Sequence, residues 1–186
     1  MTIQIVKPAL EHLPSYVDAL QRGWSPDNVR PEFTAREHLA AIEADPAAFL
    51  ESLDDPEAKG PPLTLPDGAK VPRLPGYRRF IWDGEVAGSI GFRWQEGTSA
   101  LPSHALGHIS YAVVPWKRGR GYATQALALM LEDARARGLQ YVQITALPHN
   151  IISHKVILAN GGVLMGRFVE DPAYGRAESV RFRIDL

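Results

Sequence analysis

The chain contains no cysteine. Disulfides, thiolate nucleophiles and zinc–thiolate sites are therefore excluded, and a reducing compartment fits that lack. Neither sign of charge is in excess: 20 Lys and Arg face 21 Asp and Glu, a formal net charge of −1. This balance gives no bulk attraction to nucleic acid or to anionic membrane, so neither is an expected partner. No run approaches the roughly 20 apolar residues of a membrane span. The start, Met-Thr-Ile-Gln-Ile-Val-Lys, lacks a signal peptide's apolar region. Internal repeats and low-complexity tracts are absent too. The expectation is a cytoplasmic protein.

What is present suits one globular domain. At 186 residues, with 45% hydrophobic and 22% charged residues, the chain can bury a substantial core. Ile3 to Lys7 reads as a strand, and Leu10 to Arg22 as a helix with Leu13, Val17 and Leu20 on one side. Thr34 is placed to cap a second helix, and Pro46 to open a third that ends near Leu53. From Asp54 to Gly76, six prolines and three glycines leave little room for regular structure. A loop of that length is either functional or a surface excursion. Tyr77–Trp82 and Glu85–Gln95 read as a hairpin about Asp83-Gly84. After a loop come the strand from Ile109, a helix from Tyr122, the strand Tyr141–Ala146 and a helix from Asn150 to about Asn160. Val163–Glu170 and Glu178–Asp185 close the chain as a hairpin around Pro172 and Gly175. This order predicts an α/β (mixed α+β) domain with one mixed, mostly antiparallel sheet covered by helices on both faces.

The stretch from Ile109 to Arg135 carries the strongest chemical signal. Ile109, Tyr111 and Val113 alternate with Ser110, Ala112 and Val114, and Pro115 ends the strand. From Tyr122, apolar residues recur at helical spacing (Ala123, Ala126, Leu127, Met130, Leu131, Ala134) until Gly138. Between them lies Lys117-Arg118-Gly119-Arg120-Gly121-Tyr122-Ala123. The glycines let the backbone turn sharply, and the helix start adds unpaired N–H groups and partial positive charge. Such a loop suits a phosphate or pyrophosphate; the alternative is an ordinary connection with solvated arginines. A P-loop is excluded, because G-x-x-x-x-G-K-[ST] does not occur. A dinucleotide fingerprint fails as well, since Thr124 stands at its third glycine and Tyr141–Ala146 holds no acid.

Arg118-Gly119-Arg120-Gly121-Tyr122-Ala123, following Val-Val-Pro and opening a long helix, resembles the Q/R-x-x-G-x-G/A motif of the GNAT superfamily of acetyl-CoA-dependent N-acetyltransferases. The resemblance extends through Asn150 and Asn160-Gly161-Gly162, roughly the second half of the chain, and is nearest a bacterial branch of acetyltransferases. It implies a single domain over 1–186. Within it, 1–76 would form the acceptor side and 77–186 the sheet and acetyl-CoA-binding core. It also implies acetyl transfer to a primary amine by direct attack, with acetyl-CoA as acyl donor and no metal. The acceptor would be a small amine, or alternatively a protein N-terminus.

By the same resemblance, N–H groups of Gly119, Arg120, Gly121, Tyr122, Ala123 and Thr124 cradle the pyrophosphate, with Lys117, Arg118 and Arg120 near the phosphates. The Ile109–Val114 strand splays from Tyr141–Ala146, so that N–H groups near Val113 or Val114 face the thioester oxygen. Asn150 begins the family's N-x-x-A-x-x-L-Y motif and contacts the pantetheine, with Ser153 at the alanine position; it also suits a helix N-cap. The motif's tyrosine is replaced by Ile157, so protonation of the leaving thiolate is unassigned among Ser153, Tyr174 and water. Where many relatives carry a glutamate base, this chain has Gly107-His108. An imidazole with pKa near 6.5 suits that task, whereas a packed, hydrogen-bonded histidine is the plainer account. Trp24, Glu32 and the proline-rich loop fall where the fold varies for its acceptor.

Further readings stay open. Asp54, Asp55 and Glu57 either attract a cationic amine or are solvated carboxylates. His149 and His154 are five apart and do not share a helix face as metal ligands need. The missing tyrosine and glutamate also fit a non-catalytic acyl-CoA sensor, and the loop alone fits some other phosphate-ligand protein. The sequence leaves the oligomeric state open, a homodimer included.

Overall fold

A computed structural model describes residues 2–174 and 176–186. The first half supplies β1 (Gln4–Val6), α1 (Leu13–Gln21), α2 (Pro31–Ala44), α3 (Pro46–Ser52), β2 (Asp54–Asp55), β3 (Leu63–Thr64) and β4 (Lys70–Val71). The second supplies β5 (Gly76–Trp82), β6 (Val86–Arg93), β7 (Ile109–Val113), α4 (Tyr122–Ala136), β8 (Tyr141–Ala146), α5 (Ile151–Ala159), β9 (Val163–Val169) and β10 (Glu178–Asp185). Gly175, expected in the last turn, lies outside the described residues; Pro172–Tyr174 forms a single 3-10 turn.

Several local expectations shift, each for a visible reason. The second helix starts at Pro31, with proline's fixed φ in its first turn. Thr34 is therefore inside the helix, and its hydroxyl donates to Asp27 Oδ2 at 2.7 Å instead of capping. Asp45 caps the third helix, its Oδ1 accepting from Ala47 N and Ala48 N at 3.0 Å each. Within the proline-rich loop, Asp54–Asp55 pairs with Tyr77 and Gly76, and β3–β4 makes a small hairpin. The loop's acids have structural partners. Asp54 binds Lys7 and Arg79, while Asp55 accepts from Lys59 N and Gly60 N.

Every strand ladder is antiparallel, and the ladders fall into two main groups. β1, β5, β6 and β7 form one sheet in that order, with β2 also on β5; β8, β10 and β9 form the other. The break falls between β7 and β8, which the helix α4 joins by a crossover of the kind parallel neighbours need. One core lies under α4, where Leu127, Met130 and Leu131 meet Ile81, Ile90, Phe92, Val142 and Ile144. The other packs α1–α3 on the opposite face of the first sheet, through Tyr16, Leu20, Trp24 and Phe49 against Phe80 and Val86. Trp24 belongs to this core, 3% exposed and edge-on to Tyr16, and is not an acceptor-facing residue.

His108 sits where the two sheets still touch. Its N–H donates to Gln143 O at 2.8 Å, and its Nδ1 accepts from Gln143 N at 2.9 Å. An Nδ1 that accepts from an amide suits the neutral ring. Burial, reinforced by the charge of Arg93, pushes His108 down to about 4 from an ordinary 6.5.

A depressed histidine pKa means the unfolded chain takes up this proton first. Stability from His108 is complete above about pH 6.5, and is lost as pH falls through 6.5 toward 4. His38, held down to about 4 chiefly by burial, acts in the same direction. Thermal denaturation from pH 7 to pH 4 should therefore show falling stability, about 3 kcal/mol of it from His108 at roughly 1.4 kcal/mol per pKa unit. His108→Gln, which keeps an acceptor for the Gln143 amide, should flatten that slope; an unchanged slope would refute the assignment.

Candidate active site

The glycine loop is set between two fixed points. After β7, Pro115–Lys117 makes a 3-10 turn, and α4 begins at Tyr122. Lys117 Nζ binds Asp83 Oδ1 at 2.6 Å and Glu85 Oε1 at 2.8 Å. Burial alone would push Lys117 down, but the two carboxylates outweigh it and hold the ammonium above its ordinary range. Tyr122 donates its hydroxyl to Asp83 Oδ2 at 2.8 Å. One carboxylate thus grips residues on both sides of Arg118–Gly121. Lys117 is committed to this anchor, although it also lines the cavity beside the loop.

Between those points, Gly119 and Gly121 have φ of +76° and +75°, a left-handed conformation that side chains strain. The Gly121 C=O accepts the first helical bond, from Gln125 N at 3.0 Å. Arg118 and Arg120 are exposed, each donating to one backbone carbonyl, Val113 O at 3.2 Å and Trp116 O at 3.4 Å. A cavity of about 370 Å³ opens beside the loop. Its walls include Val113, Arg118, Gly119, Gly121, Tyr122, Ala123 and Thr124 from the loop side, and Asn150 and Ser153 from α5. Arg120 does not line it.

The register of β7 decides which N–H groups face the gap. Val114 N donates to Ala87 O at 3.0 Å, so Val113 and Gly88 form a non-hydrogen-bonded pair. The Val113 N–H then points away from β6, toward the break. Val114, fully buried with its N–H taken, is no candidate for a thioester-facing donor. Of the two expected residues, only Val113 retains the geometry.

Asn150 caps α5, its Oδ1 accepting from Ser153 N at 3.1 Å, which leaves its amide NH₂ for the cavity it lines. The Ser153 carbonyl accepts from Tyr111 Oη at 3.4 Å. Burial pushes the Tyr111 phenol up to about 12, so it stays protonated. On the other side of Tyr111 lies a second cavity of about 320 Å³, walled by Pro26–Arg30, Leu63–Pro66 and residues of β5–β8. Asn28, Tyr111 and Ser153 line both cavities. The Asn28 amide donates to Tyr111 O at 3.2 Å across the break. Asn28 and Tyr111 were missed in the sequence. Tyr111 reads there only as a strand residue, and nothing local brings Asn28 to it.

His108 lines neither cavity and its ring is fully buried. Tyr174 lines the second, with its hydroxyl bound to His104 O at 2.8 Å. Asp27 is the acid of that cavity. Burial pushes its carboxyl up, but hydrogen bonds from Val29, Thr34 and Arg30 outweigh it and keep the carboxyl below its ordinary range. Among the described residues, no three His, Asp or Glu cluster as a metal site, and no helix is long and apolar enough to cross a membrane.

A glycine-loop helix start thus lies beside a split sheet, with two cavities meeting at the split. Residues 48–161 match the acetyltransferase (GNAT) family, and the chain belongs to it. Its class of activity is acyl transfer. The same fold occurs in the microcin self-immunity acetyltransferase MccE, solved with acetyl-CoA and AMP (14% identity, 99% of this chain and 92% of that one, TM-score 0.66). It occurs also in RimL, a ribosomal-protein alpha-N-acetyltransferase solved with coenzyme A (15% identity, 100% and 95%, TM-score 0.61). An acetyltransferase from Agrobacterium tumefaciens shares it too (17% identity, 99% and 91%, TM-score 0.55). No curated protein sequence shows significant similarity to the chain.

If Asp83 sets the loop, Asp83→Ala should leave a buried lysine without its main partner and cost about 3 kcal/mol of stability. Below its melting point the variant should also bind coenzyme A more weakly, by about tenfold in calorimetry. Unchanged affinity would show that the loop keeps its shape without the carboxylate.

Proposed function

We propose that the chain transfers an acetyl group from acetyl-CoA to a primary amine of a small molecule. The observation that carries this reading is the junction of the two cavities at Asn28, Tyr111 and Ser153, directly beside the free Val113 N–H. Acetyl-CoA would supply the activated thioester, with its pyrophosphate at Gly119–Thr124 and its phosphates near Arg118 and Arg120. A fit is supported by the left-handed glycines, around which a Cβ at Gly119 would meet nothing within 4 Å, so the backbone is open to an incoming anion.

The amine nitrogen attacks the thioester carbonyl; a C–N bond forms, the C–S bond breaks, and the amine's proton leaves as the thiolate is protonated. Val113 N–H stabilises charge on the carbonyl oxygen, a contribution of about 3 kcal/mol for one well-placed donor. Asn150, through its free NH₂, orients the pantetheine amides. Tyr111, protonated and at the junction, is the proton source for the leaving sulfur, a role the sequence left among Ser153, Tyr174 and water. His108 acts from behind the wall: it holds β7 to β8 and so keeps the gap at its width, and the amine loses its proton to water. Residues 1–76 contribute the acceptor-side wall through Pro26–Arg30 and Leu63–Pro66, and 77–186 the donor side.

Incubation with acetyl-CoA and a diverse amine panel tests the reading by thiol release. Turnover with at least one amine is expected. Tight coenzyme A binding with no turnover would favour a non-catalytic sensor, and a preference for folded protein N-termini over every small amine would move the acceptor to proteins. Tyr111→Phe should lower kcat by about 10²-fold while leaving the KM for acetyl-CoA within about twofold.

A further inference from the structure

Two arginines stand in the acceptor cavity without a salt-bridge partner. Arg78 on β5 and Arg93 at the end of β6 both line it. Their registers, Arg78 opposite Gly91 and Gly76 opposite Arg93, put them on the same face of the sheet. Glycine at both partner positions leaves room for the guanidinium groups to lie across the strands; a Cβ on Gly91 would sit 3.8 Å from Arg78 Cζ. Arg78 Nη1 donates to Ser89 Oγ at 2.9 Å and to Pro26 O at 3.2 Å. Arg93 Nη2 donates to Ser110 Oγ at 3.4 Å. All these acceptors are neutral.

The contrast with six other arginines is informative. Arg22, Arg73, Arg79, Arg135, Arg167 and Arg183 each pair with an acid. Arg78 and Arg93, among the described residues, form no ion pair, although they are sunk in the sheet face. The acid that shares their cavity, Asp27, spends its oxygens on Val29 N and Thr34 Oγ1, each at 2.7 Å. Burial together with the neighbouring charge of Arg78 depresses Arg93 below the usual arginine range, and the opposing attraction of Tyr174 and Asp27 does not offset it. Two like charges placed together out of water are costly unless an anion joins them. Planar guanidinium forks match an oxyanion's geometry.

We propose that the acceptor amine also carries an oxyanion, a carboxylate or a phosphoryl-type group, and that Arg78 and Arg93 hold this oxyanion while the amine reaches the junction at Tyr111. The amine end of this statement rests on the acetyl-transfer reading above; the anion end rests on the arginines alone. Asp27 completes the polarity, because its fixed negative charge favours an ammonium arriving in the same cavity as the anion. The site is thus selective for acceptors with both charges over simple alkylamines and polyamines.

The test compares α-amino carboxylates, their carboxamides, aminoalkyl phosphonates and alkylamines of matched length, by thiol release from acetyl-CoA. Acids or phosphonates should exceed the carboxamides by at least about 30-fold in kcat/KM, the usual scale for losing a partner of a buried charge. Which anionic series is faster tells carboxylate from phosphoryl. Arg93→Met should bring that ratio to within about threefold without changing affinity for coenzyme A, and Arg93→Lys should restore part of it. Carboxamides and alkylamines used as well as the acids by the wild type would overturn the proposal while acetyl transfer stands.

If no amine is acetylated, the acetyl-transfer reading fails and the anion site is read by binding alone. Inorganic phosphate or the amino acids should then raise the melting temperature of the wild type but not of Arg78→Met or Arg93→Met. Absence of an anion-dependent shift, or one that survives both variants, would overturn the site.

Discussion

The site depends on one strand with a single hydrogen-bonded edge. β7 spends alternate backbone groups on β6 and keeps the others, Val113 N–H and Tyr111 C=O among them, turned to the break. A buried strand edge is normally a liability, because unpaired N–H and C=O groups out of water cost free energy. Here the cost is contained at two points. His108 and Gln143 close the narrow end with two hydrogen bonds, and Asn28 takes the Tyr111 carbonyl farther along. What remains unpaired lies where a ligand's own polar groups can complete it. The cavity and the proposed oxyanion donor therefore follow from the same omission in the sheet.

Charge is distributed with a similar economy. Three cations surround the glycine loop in sequence, yet one of them, Lys117, is neutralised by Asp83 and Glu85 to tie the loop to the β5–β6 turn. Arg118 and Arg120 remain exposed at the loop, on the side of the cavity assigned to the donor. Across the junction, Arg78 and Arg93 form a second cationic group that, among the described residues, makes no salt bridge, with Asp27 the acid of that cavity. A net charge of −1 conceals both. Local pairing, not bulk charge, decides which cations are available to a ligand.

How much of this was legible in the chain follows from the range of each signal. The strand–loop–helix unit from Ile109 to Ala136 was readable because its parts are contiguous: alternation, a proline stop, left-handed glycines and a helical apolar stripe. Asn150 as an N-cap was legible for the same reason. Thr34 misled because Pro31 started the helix a turn earlier, so a cap residue with the right chemistry lay inside it. Trp24 misled because position in the chain says little about which layer a side chain enters. Val113 and Val114 could not be separated without the register, since a shift of one residue exchanges which N–H is free. Arg78 and Arg93 were not singled out, because their juxtaposition depends on β5–β6 pairing and their lack of a salt-bridge partner on the whole fold.

The position of His108 shows why residue type at a familiar place is weak grounds for a chemical role. A general base must reach the proton it removes and must gain from holding it. This imidazole is neutral at physiological pH, as a base should be, but its low pKa makes it a poor acceptor and its Nδ1 is occupied by an amide. The same features make it a good strut: a neutral ring can sit in the core and accept an amide bond without the desolvation cost of a charge. A glutamate in that position would have to bury a carboxylate between β7 and β8 or turn into the cavity, and either would alter the gap. The histidine thus holds the spacing between β7 and β8 from within the core, and in the proposed mechanism the proton traffic of the site falls to Tyr111 and water.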